Sequence, residues 1–180
     1  MKYIKIGNKK IGDNFPTFII AEAGVNHNGS LKIAKKLVDI ACDANVDAIK
    51  FQSFKSDKVA TPKLEVVSYQ RKNIGIKQTQ INMLKKLELK HKDFLEIKKY
   101  CDKKNIIFLS TPHSYEEIDF LNNLLPAYKF GSGDLTNKPF LVKAAKKNKP
   151  IILGTGMATL SEVKKSFNWI KENGNNKIIC

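Results

Sequence analysis

The feature that most limits how this chain can fold is a repeated unit. A short apolar run is followed by a polar or glycine-rich cluster and then by a helical pattern. The runs are Thr17 to Glu22, Ala48 to Gln52, Ile106 to Ser110, Ala127 to Phe130, Pro150 to Leu153 and Lys177 to Cys180. They do not alternate in polarity, which is the mark of strands covered by helices on a parallel sheet. The βα repeat allows a doubly wound sheet or a (β/α)₈ barrel. No Gly-x-Gly-x-x-Gly follows the first of these strands, which weighs against a dinucleotide-binding sheet.

Residues 3–6 and 9–12 read as an N-terminal hairpin around Gly7-Asn8. Ser30 is placed to cap a helix with apolar positions Ile33, Leu37, Ile40, Ala41 and Ala44. Residues 53–80, with Pro62 and Gly75, are polar and irregular. Helical patterns then run from Gln80 through Met83, Leu84 and Leu87, and through Phe94, Ile97 and Cys101. Ser114-Tyr115-Glu116-Glu117 and Thr159-Leu160-Ser161-Glu162 read as capping boxes. The first opens a helix with Ile118, Leu121 and Leu125, the second a helix with Val163, Phe167 and Ile170. Between them, Asn137 and Pro139 start another helix. Gly174 stops the last one.

A complete barrel takes ~250 residues, and this chain of 180 residues supplies about six of eight strands. It ends inside the sixth strand, which would leave an unpaired edge. The expectation is therefore an α/β (β/α)₈ TIM barrel, present as roughly the first six βα units with an N-terminal hairpin. Residues 1–180 would be the front portion of a longer barrel.

The formal net charge is +15. Such a charge suits nucleic acid, a membrane surface or anionic small molecules. However, Arg71 is the only arginine, and base readout and bidentate phosphate clamps favour arginine. The lysines are spread over the polar faces of helices, as in Lys35-Lys36, Lys85-Lys86, Lys98-Lys99 and Lys164-Lys165. A lysine-rich solvated surface accounts for this pattern. No apolar run approaches the ~20 residues of a membrane helix, and the start does not read as a signal peptide. A cytoplasmic protein is expected, with neither nucleic acid nor membrane as partner. Cys42, Cys101 and Cys180 form no metal or disulfide spacing. Cys42 and Cys101 read as small hydrophobes on helix faces.

Chemistry-bearing residues recur at one place, the carboxyl end of each strand. These are Glu22 with Asn26-His27-Asn28-Gly29, Lys50 and Gln52, Ser110-Thr111-Pro112-His113, Lys129 with Gly131-Ser132-Gly133-Asp134, and Gly154-Thr155-Gly156-Met157. In a parallel barrel these ends converge on the rim that holds substrate. An ammonium in a barrel mouth needs a counter-charge, so Lys50 and Lys129 point to an anion. The Gly-Ser-Gly and Gly-Thr-Gly turns can bring backbone N–H groups to phosphate or carboxylate oxygens. Blander readings stand beside these. Glu22 and Lys50 read equally as a rim ion pair, and Asn26, His27 and Asn28 as turn-shaping residues. His113 reads as a solvated loop residue and His91 as surface.

Ile20-Ala21-Glu22-Ala23-Gly24-Val25-Asn26-His27-Asn28-Gly29 resembles the opening signature of the N-acetylneuraminate (sialic acid) and legionaminic acid synthases. Lys50-Phe51-Gln52, Leu109-Ser110-Thr111-Pro112, Lys129 to Asn137 and Gly154-Thr155-Gly156-Met157 follow in that family's order. The resemblance implies an enzyme that condenses phosphoenolpyruvate with an open-chain N-acetylated hexose. N-acetylmannosamine and a diacetylated analogue both stay open as that hexose. The products would be a nine-carbon 2-keto sugar acid and phosphate. Lys50, Thr111, Lys129 and Ser132 would hold phosphoenolpyruvate, and Glu22 and Gln52 would touch the sugar. Glu22 and Lys50 would be the catalytic pair. A divalent metal, manganese by the family's habit, would polarise the aldehyde, with its histidine ligands beyond Cys180. The remaining strands and an antifreeze-like C-terminal domain would also lie there, in a homodimer. The 180 residues alone would then be inactive. The family usually has serine where Gly154 stands.

Two other functions fit parts of the pattern. A Schiff-base aldolase would use Lys50 or Lys129. A basic nucleic-acid-binding module would show steeply salt-dependent binding.

Overall fold

The computed structural model describes residues 3–61 and 79–180. The hairpin forms as expected, with β1 (Ile4–Ile6) antiparallel to β2 (Lys9–Ile11). Six parallel strands follow: β3 (Ile20–Gly24), β4 (Ala48–Ser53), β5 (Ile107–Pro112), β6 (Tyr128–Phe130), β7 (Ile151–Leu153) and β8 (Ile178–Ile179). β3, β4 and β5 form one ladder and β6, β7 and β8 another, with β5 and β6 side by side. The described residues form a partial (β/α) barrel, with no ladder between β8 and β3 among them. A cavity of about 340 Å³ at that gap is lined by residues such as Phe18, Ile20, Ile152 and Ile179.

The helices in chain order are α1 (Leu31–Asp43), α2 (Ser56–Val59), α3 (Gln80–Leu87), α4 (His91–Lys103), α5 (Tyr115–Leu121), α6 (Lys138–Ala145) and α7 (Leu160–Glu172). Ser30 caps α1 by accepting from the Ile33 N–H, and Asn137 caps α6 by accepting from the Phe140 N–H. Thr159 and Glu162 form the reciprocal box at α7. Most of the irregular stretch expected at 53–80, including Pro62, Arg71 and Gly75, lies outside the described residues.

The strand pleat divides the interior into two layers. Side chains facing the helices form the larger cluster, which includes Ile49, Phe51, Phe108, Tyr128, Phe130, Ile151 and Leu153. The alternate positions Ile20, Ala48, Ile107, Leu109, Ala127, Ile152 and Ile179 face into the barrel. There they pack with Ile6 and Ile11 of the hairpin and with Phe18. The hairpin thus plugs the amino-terminal end of the barrel.

Several expectations are corrected. The first parallel strand was placed at Thr17 to Glu22 but starts at Ile20, and Ile19 is exposed. The outer edge of β3 has no paired strand among the described residues, so nothing there extends the ladder. The buried stripe of α1 is Ala34, Val38 and Ala41, while Ile33 and Ile40 face solvent. Small residues on the sheet side let this helix approach its strands closely. On α7, Ser166 takes the core position beside Phe167, because its hydroxyl donates to the Leu135 carbonyl at 2.6 Å and the Glu162 carbonyl at 2.9 Å. The box expected at Ser114 is half made. Ser114 accepts from the Glu117 N–H, but the Glu117 carboxylate turns inward.

The plug gives a stability prediction. Ile6→Ala removes a fully buried side chain from the barrel interior and should destabilise by about 2–4 kcal/mol. Urea unfolding measures this, and an unchanged midpoint would contradict the plug role.

Candidate active site

The same alternation that fills the lower barrel with apolar groups places polar ones at its carboxyl end. Two residues beyond Ile20, Ala48, Leu109 and Ala127, on the same face, stand Glu22, Lys50, Thr111 and Lys129. Gln52 follows Lys50 by two and lies in register with Thr111. Five side chains from four adjacent strands therefore share one face because of the pleat alone.

Glu22 and Lys50 are register partners on β3 and β4, and their side chains form an ion pair. Lys50 is nearly buried, whereas the Glu22 side chain is half exposed. The rim ion pair considered from sequence therefore exists. A bulge between Glu22 and Gly24 shapes this corner. Gly24 has φ of 53°, and a Cβ there would meet Glu22 Oε1 at 3.2 Å. Gln52 Nε2 would lie 3.8 Å from the same point, so Gln52 and Glu22 flank one spot.

Lys129 donates to the Phe130 carbonyl at 2.6 Å. Burial pushes its pKa below the ordinary lysine value, and the Lys50 ammonium pushes it further. Glu22 and Asp134 act in the opposite sense. The Lys50 charge thus reaches Lys129.

After β6 the chain makes a single turn of 3₁₀ helix, Ser132–Asp134. Ser132 sits against the loop after β7. A Cβ at Gly156 would lie 3.7 Å from Ser132 Oγ. A Cβ at Gly154 would lie 3.1 Å from the Ser132 nitrogen and 3.2 Å from Lys129 Nζ. Glycine at 154 therefore leaves room for the Lys129 ammonium where a larger residue would crowd it.

His113 differs from its sequence reading, His91 differs in part, and Asp134 keeps the rim place the sequence suggests. His113 is no solvated loop residue. Burial lowers its pKa, with Asp134 and Glu117 raising it and Lys50 lowering it. Its place two residues beyond Thr111, on the same face, was the available signal. Asp134 belongs to the same corner: burial raises its pKa, and His113 and Lys129 oppose that. His91 lies at the surface as read, its side chain 41% exposed, but it is engaged. It stacks on Phe120 at 3.7 Å and donates from Nε2 to buried Glu117 at 2.7 Å. By contrast, His27 shapes its turn as expected, accepting the Gly29 N–H at Nδ1.

Partly open pockets lie beside the rim and below it. A cavity of about 300 Å³ is lined by Lys58, His113, Ser114 and Asp134, among others. A cavity of about 430 Å³ opens at the opposite end, near Gly7, Lys98 and Leu125, away from every rim residue. No group of three or more His, Cys, Asp or Glu among the described residues could hold a metal ion. The manganese implied by resemblance therefore finds no ligand set there. No described helix is long and apolar enough to cross a membrane.

The sequence profile of the NeuB family matches residues 37–180. This chain belongs to the NeuB family. It is 48% identical over 159 residues to the N,N'-diacetyllegionaminic acid synthase of Campylobacter jejuni, covering 88% of this chain and 48% of that protein. It is 32% identical over 162 residues to the human N-acetylneuraminate-9-phosphate synthase, covering 89% of this chain and 45% of that one. Among solved structures, it is similar to the N-acetylneuraminic acid synthetase of Leptospira borgpetersenii, determined in complex with citrate. That match has a TM-score of 0.82 and 34% identity, and covers 98% of this chain and 57% of that one. The chain spans about half the length of the curated relatives it matches.

The mutual influence of the two lysines in this NeuB-family rim is testable. Lys50→Met removes a positive charge that disfavours protonation of Lys129, so the Lys129 pKa should rise. An NMR titration of the Lys129 side chain measures it. A value that stays put would separate the two ammonium groups.

Proposed function

We propose that this chain provides the phosphoenolpyruvate-binding rim of a synthase that joins phosphoenolpyruvate to an N-acetylated hexose. The products are a nine-carbon 2-keto sugar acid and phosphate. The observation that carries the reading is Lys50 and Lys129 on one inward face, with Thr111 and Ser132 beside them. Family membership supplies the reaction class. The greater identity to a diacetyllegionaminic acid synthase than to the human enzyme favours a diacetylated hexose as acceptor.

The residues divide the work as follows. Lys50 and Lys129 offset the phosphate and carboxylate charges in a mouth poor in water, where such charges act strongly. Thr111 and Ser132 donate hydroxyl hydrogen bonds to the same donor. Glu22 releases Lys50 to the incoming anion and, being half exposed, turns toward the sugar with Gln52. C3 of phosphoenolpyruvate then bonds to the aldehyde carbon, whose oxygen takes up a proton. Water adds at C2 and gives up a proton, and Glu22 orients it. The C2–O bond to phosphate breaks, leaving the keto group and inorganic phosphate.

The protein at its full length should release phosphate only when phosphoenolpyruvate and the N-acetylated hexose are both present, with manganese supplied. Lys50→Met and Lys129→Met should each lower kcat/KM by about a hundredfold or more. Absence of release with every N-acetylated hexose would refute the substrate class. The lowered pKa of Lys129 is what an aldolase would exploit. Borohydride in the presence of pyruvate should nevertheless trap no adduct, and a trapped Lys129 would replace the present reading.

A further inference from the structure

Among the described residues, the helix-to-sheet layer behind the rim holds a few buried hydroxyls, such as Ser53, Ser110 and Ser166, and one buried carboxylate. Glu117, in the first turn of α5, is 1% exposed. Its carboxylate accepts from the hydroxyl of Ser53, which is fully buried at the end of β4. It also accepts from His91 Nε2 at 2.7 Å, and His91 is the first residue of α4. His91 is held in turn by its stack on Phe120. The Ser53 carbonyl accepts the His113 N–H at 3.0 Å, joining the end of β4 to the end of β5. Just beyond, Glu88 accepts from Lys55 Nζ at 3.0 Å and from the Ser56 N–H at 2.9 Å.

A carboxylate in an apolar layer is costly unless it is fully partnered. Glu117 gives up the capping-box contact open to it at Ser114 and spends its acceptors on Ser53 and His91. Ser53 directly follows Gln52 and lies three residues after Lys50. Its side chain faces the helices, so its bond to Glu117 pulls on β4 from behind while Lys50 and Gln52 face the mouth. From this geometry we infer that Glu117 is a positioning residue. Through Ser53 and His91 it fixes the carboxyl end of β4, and with it the Lys50 ammonium and the Gln52 amide. The inference rests on the function proposed above for Lys50.

The test uses the full-length protein, its Glu117→Gln and Ser53→Ala variants, and Asp119→Ala as control. Asp119 is on the same helix and only forms surface ion pairs with Lys143 and Lys147, both at 2.6 Å. Amide hydrogen exchange at Gln52, Ser53 and Phe54 should speed up by about tenfold in the first two variants and not in the control. Phosphoenolpyruvate, titrated into the folded proteins, should bind about fivefold more weakly in the same two variants. If Glu117→Gln does not fold, Ser53→Ala decides. Folded variants with unchanged exchange at β4, or with faster exchange but undiminished phosphoenolpyruvate affinity, would overturn the inference. Wild-type protein that binds no phosphoenolpyruvate would sink the proposed function instead, and the exchange comparison would still decide whether Glu117 fixes β4.

Discussion

A parallel strand turns alternate side chains to opposite faces, and in this molecule that pleat does two jobs with one register. Below, it packs Ile20, Ala48, Leu109, Ala127 and Ile152 against the hairpin plug. Above, the same face carries Glu22, Lys50, Gln52, Thr111 and Lys129. A slip of one residue in β4 or β6 would send Lys50 or Lys129 into the helix layer and a neighbouring aromatic or branched side chain, such as Phe51 or Phe130, into the mouth. The site and the core are therefore held by the same constraint. The plug at Ile6 is remote from the chemistry yet fixes the strands that deliver it.

Two ammonium groups in one partly buried mouth repel, and burial first, then the Lys50 charge, holds the Lys129 pKa below the ordinary lysine value. The molecule offsets the repulsion with Glu22 on Lys50 and with Asp134 in range of Lys129. This leaves a mouth that is balanced by movable or rim-placed carboxylates. An anion that supplies its own negative charge can take their place. The buried polar node at Ser53, Glu117 and His91 adds a second fixed point, set behind the strand that carries Lys50.

Much of this was legible in the sequence where the physics is local. Capping residues Ser30, Asn137 and Thr159 read correctly, because a cap depends on a few neighbouring atoms. The carboxyl ends of β6 and β7 read correctly because their apolar runs stop at Phe130 and Leu153, whereas β3 and β5 run on through polar residues to Gly24 and Pro112. Misreadings arose where tertiary packing decides. Ile33 and Ile40 outrank Ala34 and Val38 in hydrophobicity, but close approach to the sheet selected the smaller pair. Glu117 fits a capping box by spacing, and only the presence of Ser53 and His91 across the layer draws its carboxylate inward. His113 looked solvated for the same reason, since Asp134 reaches it from a distant part of the chain, while His91 stays at the surface as read but gains Phe120 and Glu117 as partners.

The most direct measurement is a crystal structure of the full-length protein soaked with phosphoenolpyruvate. The expected result is a bound donor on the barrel's carboxyl rim, its phosphate and carboxylate within hydrogen-bond reach of Lys50 and Lys129 and its edge against Thr111 and Ser132. A donor bound elsewhere in an active crystal, with Lys50 still locked to Glu22 and Lys129 untouched, would contradict it.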